Sequence, residues 1–146
     1  MTLKKTSYVF LISILVLFAN AALAQQKNNW TNDQLMEPAV LAKKLADSNK
    51  LPVMISVGPM ALIPHSIDMG PATEEEGLAK LKNTLSKLPK DESIVIYCGC
   101  CPFERCPNVR PAIDLLKEMK FSNYHLLNLP VSIKANWIDK GYPTIE

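Results

Sequence analysis

The stretch IVIYCGCCPFERCPNVRPAIDLLKEM, residues 94–119, joins two kinds of periodicity across a single turn. Ile94, Val95, Ile96 and Tyr97 form a short run of β-branched and aromatic residues, the pattern of a strand buried on both faces. Ala112, Leu115, Leu116 and Met119 then recur at i, i+3, i+4 and i+7, the apolar stripe of a helix, with Pro111 in its first turn. All four cysteines of the chain, Cys98, Cys100, Cys101 and Cys106, fall between these two elements. In parallel α/β sheets, ligands bind beyond the carboxyl ends of the strands. The following helix offers its unpaired N–H groups and the positive end of its dipole to that region. A thiol placed there ionises more readily and becomes a nucleophile near neutral pH.

Outward from this turn, the chain alternates strands with helices. Residues 38–47 carry Val40, Leu41 and Leu45 at helical spacing among lysines. PVMISV (residues 52–57), stopped by Gly58-Pro59, reads as a buried strand. The proline- and glycine-rich residues 58–73 leave room for one short strand near residues 66–69. Leu78, Leu81, Leu85 and Leu88 mark a helix whose start carries Glu74, Glu75 and Glu76, where acids complement the dipole. YHLL (residues 124–127) reads as a third strand, and a short helix is expected over residues 132–138. Such alternation predicts an α/β fold with a parallel sheet and helices on both faces.

The 146 residues suffice for one compact domain, and 48% hydrophobic against 21% charged content argues against disorder. Residues 1–24 have the pattern of a secretory signal peptide: Lys4-Lys5, an apolar run over residues 8–18 broken only by Ser13, then Ala22-Leu23-Ala24 before Gln25. Residues 25–32 read as a polar leader and residues 33–146 as the domain. Residues 1–24 hold two lysines and no acid, so the remainder carries 14 charges of each sign. That balance gives no electrostatic reason to expect nucleic acid or an anionic membrane surface as partner. No second stretch is apolar and long enough to cross a membrane, so none is expected to hold the processed chain there. The expected location is an exported one, periplasmic or secreted.

IVIYC (residues 94–98), followed by an arginine entering the next helix, resembles the rhodanese-like sulfurtransferase family. FSNY (residues 121–124), WIDKGYP (residues 137–143) and Ile63-Pro64 followed by Ile67 add to the likeness, which spans residues 30–146. The resemblance implies a rhodanese-like fold with Cys98 as the catalytic cysteine that becomes a persulfide. It implies a small sulfur-containing donor such as thiosulfate, a thiol acceptor and no organic cofactor. Arg105, Arg110 and the Gly99 backbone would bind the anionic donor, and Glu104 would be a solvated partner of an arginine. The chain departs from the family in three places. Twelve residues separate Cys98 from Pro111 where the family has a short loop, Ser56-Val57-Gly58 replaces Asp-Val-Arg, and Leu129-Pro130 replaces Gly-Gly. The phosphatase branch of the fold needs a cysteine, five residues and then an arginine, and no cysteine here has that spacing to Arg105 or Arg110.

The family likeness does not account for Cys100, Cys101 and Cys106, and their roles stay open. They can resolve a Cys98 persulfide by thiol exchange or form a local disulfide, with Cys106 the less strained partner for Cys100 or Cys101. All four cysteines can instead gather around a soft metal, Cu(I) or Zn(II), in a non-enzymatic or redox-switching module. An inactive interaction domain of the same fold is a third reading. Gly99, Pro102 and Pro107 favour a loop that stands over Cys98 rather than extending into solvent. His125, inside a strand, reads as a packed or hydrogen-bonded residue, His65 as a loop residue open to either role, and Trp137 and Tyr142 as packing. If residues 1–24 act as a signal, intact-mass measurement of protein from its own host finds Gln25 at the N-terminus; Met1 retained on a membrane-bound form contradicts export.

Overall fold

The computed structural model describes residues 30–47 and 50–145; the segment read as a signal peptide and most of the polar leader lie outside them. Five strands, β1 (Leu35–Met36), β2 (Val53–Ser56), β3 (Ile67–Asp68), β4 (Ile94–Tyr97) and β5 (Tyr124–Leu127), form one sheet in the order β1-β5-β4-β2-β3. Every pairing is parallel. The connecting helices are α1 (Pro38–Asp47), α2 (Glu75–Leu85), α3 (Val109–Glu118) and the single-turn α4 (Ile133–Asn136). Among the described residues, no helix is long and apolar enough to cross a membrane.

Strand β4 is central, and all four of its side chains are fully buried. Its two faces feed separate cores. Ile94 and Ile96 pack with Ile55 and Leu126 beneath Leu81 and Leu85 of α2 and Ala112 and Leu116 of α3. Val95 and Tyr97 pack with Met54 and Leu127 beneath Leu41 of α1, Ile133 and Trp137. Helices thus cover both faces of the sheet, as the alternation of elements predicts.

The Tyr97 hydroxyl accepts from the backbone N–H groups of Leu62 and Ile63, at 3.2 and 3.3 Å, and donates to Ser66 Oγ at 2.9 Å. These bonds pin the loop after β2 over the sheet and satisfy the one polar atom that β4 buries. Trp137 is fully buried, stands edge-on to Tyr142 with ring centroids 5.1 Å apart, and donates from Nε1 to the Pro143 carbonyl.

The structure amends several sequence expectations. Of the residues expected on the inward face of α1, Leu41 is buried and Leu45 packs against the core, but Val40 is exposed, and Pro38 and Ala42 join the inward face. Helix α3 begins at Val109, two residues before Pro111, and Leu88 lies beyond the end of α2. Strand β1 has no counterpart in the sequence reading, since two residues are too few to show a period. It pairs Leu35 with Leu126 and Met36 with Leu127 at the sheet edge. Trp30, within the stretch read as a polar leader, packs against the α2–α3 core, and Thr31 caps a short turn over Asn32–Gln34.

Candidate active site

Alternation along β4 decides where Cys98 points. Ile94 and Ile96 face α3, so the next residue in that register, Cys98, enters the same core, beside Phe103, Cys106 and Val109. The chain then turns back. Gly99 O accepts from Ile133 N at 3.1 Å, and Phe103 N donates to Leu129 O at 3.1 Å. A Cβ on Gly99 would lie 2.7 Å from the Ile133 side chain, so α4 can close on the loop only where residue 99 lacks one. Phe103 and Cys106 are buried, and the loop stands over the end of β4.

The fold-back gathers the four thiols. Their Sγ atoms all lie within 4.8 Å of one another, with Cys98–Cys100 and Cys100–Cys101 contacts of 3.3 Å. All four are free thiols, with Cys98 and Cys106 buried, Cys101 half-buried and Cys100 exposed. This group is the set of described residues that could hold a metal ion; no histidine or carboxylate belongs to it.

Two residues to which the sequence alone assigns no part in the site complete it. Asn108 precedes α3, and its Oδ1 accepts from both the backbone N–H of Thr73, at 3.1 Å, and the Thr73 hydroxyl, at 2.8 Å. A backbone N–H can only donate, so Thr73 fixes the orientation of the amide, and Nδ2 faces Cys98 Sγ at 3.9 Å. Gly58, just past β2, is the other. A Cβ there would lie 2.9 Å from Cys98 Sγ, so its missing side chain leaves the sulfur its space. The parallel register of Ser56 with Tyr97 places it there, a relation that a linear sequence does not display.

Hydrogen bonding sets the charge of the cluster. The Cys106 thiol donates to Cys98, helped by the backbone N–H and thiol of Cys100 and by Asn108; together they outweigh burial and bring Cys98 down to about 5. Desolvation and donation to Cys98 push Cys100 up to about 12. Cys106 is pushed up mainly because its proton bonds Cys98, with burial adding to the effect. One thiolate is therefore favoured at neutral pH, and it belongs to Cys98.

The other expected site residues lie apart from the sulfurs. Arg105 is exposed and Arg110 half-buried. With Thr73, Glu104 and Pro107 they line an open depression that none of the cysteines lines. Arg110 Nη2 reaches the Glu104 carbonyl oxygen at 3.5 Å. His65 is an exposed loop residue with φ 64°. His125 is in β5 opposite Val95, with its Nδ1 buried and no hydrogen-bond partner to it among the described residues. No protein-family model matches the chain, and no curated protein matches it.

The isosteric change Asn108→Asp keeps an oxygen for Thr73 but sets a carboxylate against the Cys98 thiolate. Like charges disfavour ionisation, so the midpoint of the pH profile for Cys98 alkylation, near pH 5 in the wild type, moves up by about one unit or more. Peptide-mapped alkylation rates measure it; an unmoved midpoint refutes a role for Asn108 in stabilising the thiolate.

Proposed function

We propose that the protein is a sulfurtransferase with a rhodanese-like fold, in which Cys98 carries sulfane sulfur as a persulfide. The observation that carries the reading is the gathering of the donors Cys100, Cys106 and Asn108 around Cys98 Sγ, at the carboxyl end of the central strand. Those donors suit a sulfur anion, whether thiolate or persulfide. The all-parallel sheet with helices on both faces agrees with the family resemblance, as does the position of Cys98 directly after β4.

In the first step the Cys98 thiolate attacks the outer sulfur of thiosulfate. A Cys98 S–S bond forms, the bond to the sulfonate sulfur breaks, and sulfite leaves with its electron pair. An acceptor thiolate then takes the outer sulfur and Cys98 returns as a thiolate. Cys98 exposes only 2% of its surface, so donor access requires displacement of Cys100, the exposed thiol in contact with it. Cys100 also stands where it can attack Cys98 Sγ of the persulfide, forming a Cys98–Cys100 disulfide and releasing sulfide. Arg105 and Arg110, in their own depression, fit the approach of an anionic donor rather than direct contact with the reacting sulfur.

The N-terminal residues 1–24 support export, and the site needs no organic cofactor for this chemistry. Cys98→Ser abolishes thiosulfate-to-thiol sulfur transfer and the mass gain of one sulfur atom on the chain, while Cys100→Ser still gains sulfur and accumulates it. Turnover assays and intact-protein mass spectrometry after donor treatment read both. A reduced wild type with neither turnover nor adduct overturns the assignment.

A further inference from the structure

We propose that the same four cysteines bind one Cu(I) ion per chain. Four sulfurs about 2.3 Å from a tetrahedral centre stand about 3.8 Å apart. Here all four Sγ atoms already lie within 4.8 Å of one another, and two of the pairs approach to 3.3 Å. Ligation therefore asks for sub-ångström adjustments rather than refolding of the loop. The donor set is wholly thiol, without histidine or carboxylate, and thiolate-only sets select soft ions.

The backbone divides the ligands by rigidity. Cys98 is fixed at the end of β4 and Cys106 is buried in the turn before α3. Cys100 and Cys101 occupy the loop between the Gly99–Ile133 and Phe103–Leu129 hydrogen bonds. Two fixed sulfurs on the core side and two adaptable ones on the solvent side make a site with an inner wall and an entrance at exposed Cys100. Asn108 Nδ2, already held toward Cys98 Sγ, remains as a donor to a metal-bound thiolate, the outer support that such ligands normally receive.

The spacing favours Cu(I) over Zn(II). Structural zinc sites draw on pairs of cysteines separated by two to four residues. Cys98-Gly99-Cys100-Cys101 instead crowds three sulfurs into four residues, with adjacent Cys100 and Cys101 in contact. Cu(I) does not require a regular tetrahedron. As each Cu–S bond forms, a ligand that still carries its thiol proton gives it up, with no change in the oxidation state of copper or sulfur.

The inference does not rest on the sulfur-transfer reading, although an ion on Cys98 would block persulfide formation. The test is an anaerobic titration of the reduced full-length protein with Cu(I) against a chromophoric Cu(I) chelator, with a parallel Zn(II) titration. The wild type is expected to withhold one Cu(I) per chain and to melt at a higher temperature when loaded. Cys106→Ser loses more affinity than the roughly 10–100-fold typical of a missing outer-sphere partner. Circular dichroism checks that variant's fold, and Cys100→Ser, at an exposed position, gives a second variant that must also weaken binding. Complete transfer of copper to the chelator overturns the proposal. So do folded variants that bind as tightly as the wild type, or retention of Zn(II) but not Cu(I). Absent turnover in metal-free wild type bears on sulfur transfer alone.

Discussion

Because β4 is covered by helices on both faces, each of its side chains must be apolar or, like Tyr97, have its polar atom hydrogen-bonded, and its register cannot slip without exposing one core and burying the wrong residue in the other. That constraint carries through to the residue after it. Cys98 continues the Ile94–Ile96 face and enters the core under α3, where water is scarce and hydrogen bonds to sulfur are strengthened. Had the strand ended one residue earlier or later, the thiol would face α1 and α4, away from Cys106 and Asn108. The chemistry of the site follows from the side of the sheet on which this sulfur emerges.

The rest of the site is support for that placement. The loop returns through backbone bonds to Leu129 and Ile133, carrying Cys100 and Cys106 back over β4. Thr73, just before α2, holds Asn108, just before α3, so the packing of the two helices also orients the amide facing Cys98. The cluster's single favoured charge is thus a collective property. Its donors come from the loop and from the start of α3, and one of them is aimed by the approach to α2.

Much of this could be read from the chain. Strands β4 and β5 follow from their short apolar runs, the apolar faces of α2 and α3 from helical period, and the confinement of the cysteines to one turn from their positions. What could not be read depends on contacts between distant segments. Gly58 matters because β2 runs parallel to β4 in a register that brings residue 58 beside Cys98, and Asn108 because Thr73, 35 residues earlier, turns its amide. Val40 misled because it adjoins Leu41 around the helix, yet the inward face centres on Pro38, Leu41 and Ala42 and leaves it outside. Arg105 and Arg110 are close to the cysteines in sequence, yet their side chains line a separate depression, since the turn at Phe103–Arg105 buries Phe103 and exposes its neighbours.

Two thiols, a backbone N–H and an amide act together to place one negative charge on Cys98. Thiolate ultraviolet absorbance, followed against pH in the reduced, metal-free protein, counts that charge directly. The account predicts one thiolate per chain with a midpoint near pH 5, absent from Cys98→Ser. No thiolate signal below the alkaline range, or an undiminished one in Cys98→Ser, would contradict it.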